Sequence, residues 1–262
     1  MTAVPPAAAG RPDVGRPAAL GPLVRLTARG LLGRRRSLGV VALAAAPVLV
    51  AAIIAVAGGL GDREELALDV FSTITLGLVT PLAALILGTA ALGTLIDDGT
   101  IVYLLVKPVP RWTAVLAAML VAATATSVLT ATAALLAGFL VLGLASPDLL
   151  AGMVAGAVLA SVLYVAAFVT LSVFTSRALV VGLGYVLVWE GLVTSLLAGT
   201  RILSIREYAL AVVTAVGGET PLGDSAAGVD LPVAVVLSIA VLGIAFALGA
   251  YRLSRFEVGE AG

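Results

Sequence analysis

The sequence predicts an all-α membrane protein with six transmembrane helices. Six long apolar runs fill most of the 262 residues. Charged residues make up only 11% of the chain and fall almost entirely between the runs. A soluble domain is roughly a quarter charged. The runs are also continuous, whereas a transmembrane β-barrel alternates with period two.

A bilayer-crossing helix needs roughly 20 apolar residues. The spans read as Leu38–Leu60, Val70–Ile96, Thr113–Ala145, Leu150–Phe174, Leu179–Ala198 and Pro232–Tyr251. The third run is long enough for a tilted helix that protrudes past the headgroups. The first run starts too late and is too long for a secretory signal, and five more follow it. Pro47 and Pro81 permit kinks in spans one and two. Thr124, Thr126, Ser127, Thr130 and Thr132 give span three a row of hydroxyls of the kind that ties helices together. Gly152, Gly156 and Ala160 give span four a face of small residues suited to close packing.

Lys and Arg placement sets the orientation. Twelve of the fifteen lie before span one, after spans two and four, or after span six; only Arg63, Arg201 and Arg206 fall on the other side. Both termini are therefore expected in the cytoplasm, with the chain in the cytoplasmic membrane. Nine acids, among them Glu64, Asp148 and Glu207, fall on the outer side.

Residues 1–22 are rich in Pro, Ala and Gly and read as a disordered cytoplasmic N-terminus. Residues 23–36 read as an interfacial amphipathic helix, with Arg25 and Arg29 four apart and Leu23, Leu26 and Leu31 on another face. Gly30 and Gly33 weaken that helix and leave a plain positive anchor as the alternative. Residues 252–262 form a cytoplasmic tail.

The chain has no Cys and no His, which excludes disulfides, thiolate chemistry and imidazole acid–base work. Its one Lys, Lys107, follows Val106, so the chain holds no phosphate loop and does not hydrolyse ATP by that route. An intramembrane enzyme, for instance one acting on lipid, is disfavoured because no pair of intramembrane carboxylates is present.

Three places carry functional expectations. Asp97–Trp112 joins spans two and three on the cytoplasmic side yet keeps Ile101, Val102, Tyr103, Leu104, Leu105 and Val106. Asp97 and Asp98 favour the positive end of a short helix there, which Pro108 and Pro110 would end. Such a helix docks in a partner's groove, or else folds back onto the interface. Second, the outer loop 199–231 contains Ser204-Ile205-Arg206-Glu207, which matches a capping box for a helix from Ile205 to Val216, stopped by Gly217-Gly218. That helix is too short to cross and either lies flat or dips in from outside as a lid. Third, Glu190 is the only acid or base well inside a predicted span. It either lines or gates a pathway, or ties structure together through Arg201 or hydroxyls on another helix.

Taken together, these residues resemble the membrane subunit of ABC transporters of the type-2 exporter class. The resemblance rests on the interfacial helix, the six spans and the outer helical region. It also rests on the order Asp97-Asp98-Gly99-Thr100, Leu104-Leu105, then Lys107-Pro108-Val109-Pro110-Arg111. The Tyr185–Gly191 and Leu203–Tyr208 stretches are similar to permeases whose ATPase is a separate chain. The Asp pair is a mild departure, since the family carries one acid before Gly-Thr.

The resemblance implies that two permeases, copies or paralogues, pair with two ATP-binding subunits. ATP and Mg would sit on those partners, with no cofactor, metal or catalytic residue on this chain. Asp97, Asp98, Gly99, Thr100, Leu104, Leu105, Lys107, Pro108 and Arg111 would couple to the ATPase. Glu190, Ser204 and Glu207 are pathway or gate candidates. The alternative is a stand-alone secondary transporter or channel dependent on Glu190.

Overall fold

The computed structural model describes residues 24, 28, 34–57, 62–97, 111–196, 198–218 and 228–254. Most of the interfacial helix (all but residues 24, 28 and 34–36), the N-terminal segment, the C-terminal tail beyond 254 and most of the outer loop's second half lie outside the described residues. So does the coupling stretch from Asp98 to Pro110.

The described residues are almost all helical, with no strand among them. Helix α1 spans Arg34–Val56. Helix α2 runs continuously through Arg63–Asp69, Val70–Val79 and Thr80–Asp97. Helix α3 spans Arg111–Leu142 and α4 spans Pro147–Phe174. Helix α5 comprises Ala178–Gly184 and Tyr185–Val193. After a short turn come α6 at Ile205–Gly217 and α7 at Leu231–Ser254.

Among the described residues, five helices are long and apolar enough to cross a membrane, in α1, α2, α3, α4 and α7. The chain thus has the make-up of a multi-pass membrane protein. The predicted fifth span differs. Its apolar helix is Ala178–Val193, at most about 24 Å of rise against a hydrocarbon core of about 30 Å.

Helix α2 starts a turn or two before its predicted span. Asp62 accepts from the Glu64 N–H at 2.9 Å, and Glu64 and Glu65 complement the positive end of the helix. Within α2, residues 70–79 wind as a π-helix, and the Thr80 N–H reaches back to Thr75 O. Pro81 follows directly and has no N–H to give. The wider winding absorbs that break without interrupting the helix. Pro47 likewise stays inside a continuous α1.

Helix α4 is the centre of the bundle. Two-thirds of its apolar window is buried, against 17% for α7, which therefore lies at the periphery. Leu163, Tyr164, Val165 and Val169 are wholly enclosed. Polar ties join α4 to its neighbours: Thr130 Oγ1 and Ser161 Oγ lie 2.8 Å apart between α3 and α4. The Thr170 hydroxyl donates to Ala245 O of α7 at 2.7 Å.

Of the hydroxyl row on α3, only Thr130 joins another helix in this way. Thr124 and Thr132 bond carbonyls of their own helix. Thr126 Oγ1 and Ser127 Oγ are buried with no partner among the described residues.

The small-residue face of α4 takes α6. A Cβ on Gly152 would lie 2.8 Å from Val213 O, and one on Gly156 would lie 2.9 Å from Ala209 O. The order of these contacts makes α6 antiparallel to α4. The two glycines let the backbones touch where any side chain would separate them.

Gly156→Ala is predicted to destabilise the detergent-solubilised protein. Overpacking costs about 1–3 kcal/mol, more than the gain of up to about 1 kcal/mol from helix propensity. Gly184→Ala meets nothing within 4 Å and should be neutral or stabilising. Thermal unfolding of the two variants side by side checks the contrast.

Candidate functional site

The two parts of the fifth passage meet at one joint. Helix α5 buries a stripe of Gly182, Val186, Glu190 and Thr194. At the level of Phe168, Gly182 fits between Leu85 and the Phe168 ring. From there α5 climbs past Glu190 into a last stretch of α-helix, Thr194–Leu196, and the 3-10 turn Ala198–Leu203 follows. The chain returns at Ser204 to the height of Glu190, and α6 departs.

The depth of this joint follows from α4. Tyr164 lies beside Glu190 and sits seventeen residues into the 28-residue helix. That is about 26 Å from one end and about 15 Å from the other. The joint is therefore inside the bundle, near mid-depth.

The Glu190 side chain is 5% exposed. Its Oε2 accepts from the Ser204 hydroxyl at 2.6 Å and its Oε1 accepts from the Ile205 N–H at 3.1 Å. The Tyr185 hydroxyl donates to Oε1 at 3.5 Å, the edge of bonding distance. The Tyr164 hydroxyl lies next to the same carboxyl without bonding geometry. The Thr194 hydroxyl returns to Glu190 O at 2.7 Å.

Glu190 thus serves as a cap supplied from another helix. The first N–H of α6 would otherwise stand unsatisfied at mid-depth, where no water is at hand. An acid is also the residue that the positive end of a helix favours. Of the two structural ties the sequence offered, the hydroxyl tie holds and Arg201 is not the partner. The Arg201 side chain lies against Gly228.

The capping box read from Ser204 to Glu207 does not form. Ser204 is the N-cap, but its hydroxyl donates to Glu190 and makes no bond to the first turn. Glu207 does not reach back either. Its Oε2 accepts from the Gly228 N–H at 2.9 Å, which pins the far end of the outer loop onto α6. Each residue found a distant partner that the four-residue pattern does not contain.

Tyr208 completes the joint. Its hydroxyl donates to Ile202 O at 2.6 Å and so satisfies a carbonyl of the 3-10 turn. Arg206 sits in the first turn of α6 with its Nε buried and unpartnered among the described residues.

The structure brings together Glu190 and Ser204 at the joint and puts Glu207 one turn along α6. Asp97 is the last residue of α2 and Arg111 the first of α3. The short helix expected after Asp97 lies outside the described residues. Asp98, Gly99, Thr100, Leu104, Leu105, Lys107 and Pro108 lie outside the described residues. The sequence does not single out Tyr164, and it offers Tyr185 and Tyr208 only as members of the Tyr185–Gly191 and Leu203–Tyr208 stretches; the signal for Tyr185 is its place five residues before Glu190, one π-helical turn away.

Among the described residues no group of three or more His, Cys, Asp or Glu is placed to hold a metal. The arrangement is a mechanical joint: two half-helices, one carboxyl, and hydrogen bonds that cross between them. No protein-family model matches this chain, and no curated protein matches it.

Ser204→Ala is expected to destabilise the protein by about 1–3 kcal/mol, the cost of leaving one side of a buried hydrogen bond unmade. Glu190→Leu should cost more, since it also leaves the Ile205 N–H unpaired. Glu190→Gln should come close to wild type. Its carbonyl accepts from Ile205, and its amide donates to a hydroxyl that can also accept. Unfolding midpoints of the three variants in detergent give the ranking.

Proposed function

We propose that this chain is the permease subunit of an ATP-binding cassette exporter of the type-2 class. It would move a substrate across the cytoplasmic membrane on ATP hydrolysed by a separate subunit. The observation that carries the reading is the outer helix α6, seated by its backbone on Gly152 and Gly156 and footed on Glu190. The resemblance calls for a short helical element before the last span, and α6 stands at that place in the chain.

In this reading the chain crosses six times. Helix α5 rises to the joint and α6 completes the passage, so the fifth crossing is broken in two. The Lys and Arg distribution then puts both termini in the cytoplasm. The ends of α2 at Asp97 and α3 at Arg111 face the ATPase, with Leu104 and Leu105 docking between them. ATP and Mg belong to that partner, and this chain performs no catalysis. Closure of the ATPase pair would push on α2 and α3, and α6 would respond at the opposite end. A second permease, a copy or a paralogue, completes the transporter.

The rival reading, a secondary transporter working through Glu190, receives less support. It needs a carboxyl free to exchange protons or ions. Here both oxygens hold the foot of α6.

Replacing Leu104 and Leu105 with Asp should abolish stimulation of the partner ATPase while leaving the chain inserted and folded. Normal stimulation would remove the coupling assignment. Glu190→Gln should keep transport-coupled ATPase activity within a few-fold of wild type, with no ion flux to lose. An ATP-independent proton or ion flux in proteoliposomes that disappears in Glu190→Gln would instead establish the rival.

A further inference from the structure

A guanidinium stands unused at the joint. Arg206 Nε is buried and bonds to nothing among the described residues. The side chain as a whole is half-buried, so it stays open on one side. Its depth follows from the seat of α6 on α4, where Ala209 meets Gly156. Gly156 lies about 14 Å from the Pro147 end of α4, and Arg206 stands three residues nearer the foot of α6, about 4.5 Å deeper. Helix α4 is about 42 Å long, so Arg206 is close to its middle. Side chains on a helix lean toward its N-terminus. For Arg206 that is toward the foot of α6, farther from the nearer membrane face. A charge at that depth is costly and marks a ligand pathway by default.

The nearby acids are committed elsewhere. Arg206 lies within electrostatic reach of Glu190 and Tyr164. Both Glu190 oxygens, however, accept from Ser204 and Ile205. Glu207, the next residue, turns to Gly228.

A second unpaired group marks the same level. Ser238 of α7 is 5% exposed, and its Oγ has no partner among the described residues. Buried hydroxyls elsewhere in the bundle bond their own helix, as those of Thr89 and Ser172 do. Helices α4 and α7 run parallel: Thr170 bonds Ala245, and farther along Arg252 lies over the Phe174 ring. Ser238, seven residues before Ala245, is therefore level with Leu163 and Tyr164. Helix α7 packs against α6 as well as α4. The wholly enclosed Tyr164 hydroxyl is a third polar group left unbonded at this level.

Polar atoms unpaired at membrane depth need a partner. Water would serve the two hydroxyls, but the guanidinium asks for negative charge. Its N–H fork matches a carboxylate or phosphate. Just before the foot of α6, Ile202 and Leu203 are exposed and apolar. They suit a ligand that is apolar beyond its charged head.

We propose that Arg206 and Ser238 bind the acidic head, a carboxylate or phosphate, of a cargo molecule with an apolar body. The proposal deepens the permease reading by naming the class of cargo, and rests on that reading for transport.

The test is photolabelling of the purified chain in nanodiscs of zwitterionic lipid. The probe is a diazirine-bearing dodecanoate, and labelled peptides are mapped by mass spectrometry. Label is expected at the foot of α6 and on α7 around Ser238, displaced by dodecyl phosphate but not by dodecanol. Arg206→Met should weaken binding about tenfold, as loss of a hydrogen bond to a charged group implies. Arg206→Lys should keep most of the binding, Ser238→Ala should lose a few-fold, and Arg252→Met at the far end of α7 should change nothing. Displacement by dodecanol as effective as by dodecyl phosphate would overturn the proposal in the wild-type protein, whatever the variants do. Full labelling of a folded Arg206→Met would overturn it too. With the ATP-binding subunit present, ATP turnover should clear the label; label retained through turnover would mean a resident lipid head and overturn the cargo assignment. The two claims separate cleanly. Charge-selective labelling with no ATP-binding subunit in the membranes sinks the permease reading and keeps the site. A bound ATPase without such labelling sinks only the site.

Discussion

A helix that starts in the middle of a bundle needs an acceptor for its first N–H, and in this fold a single carboxyl supplies it. Glu190 accepts from the Ile205 N–H and from the Ser204 hydroxyl, and both belong to the segment that returns after the break. Without it, the positive end of α6 would face an apolar interior, where an unsatisfied group costs several kcal/mol in hydrocarbon. The position of α6, the shortness of α5 and the depth of the turn all depend on that contact.

Packing then extends what the carboxyl begins. From its foot at Glu190, α6 runs antiparallel to α4, and Gly156 and Gly152 bring the two backbones into contact. Tyr208 secures the turn from within, and Glu207 secures the far end of the outer loop through Gly228. Helix α6 is thus held at its foot, along one side and by the loop that leaves it. In the proposed permease, a piece held this way would move as a body with the joint as its hinge, the kind of two-position element that coupling between distant sites requires.

Much of this was legible in the sequence, and the illegible parts have a common cause. Apolar run length gave α1, α2, α3, α4 and α7, because lipid imposes length directly. The Gly152–Gly156–Ala160 face was readable as a packing surface but not as the seat of α6, since spacing names a face and not its partner. The end of α6 at Gly218 was readable because a positive φ there suits glycine. The fifth span was not: Leu179–Ala198 is apolar enough to cross, and nothing local marks the change to a 3-10 turn at Ala198. The capping box failed for the same reason. Ser204 and Glu207 match the local pattern, yet Glu190, fourteen residues from Ser204, and Gly228, twenty-one from Glu207, hold them instead. The hydroxyl row on α3 reads as one device and acts as several, because most of those hydroxyls can bond their own helix.

Hydrogen–deuterium exchange along α6 tests the hinge most directly. In the wild-type protein the Ile205–Gly217 amides should exchange slowly, as those of α4 do. In Glu190→Leu the account predicts that protection falls across α6, from its foot outward, while α4 keeps its own. Unchanged protection of α6 in that variant would contradict the claim that one buried carboxyl holds the outer helix in place.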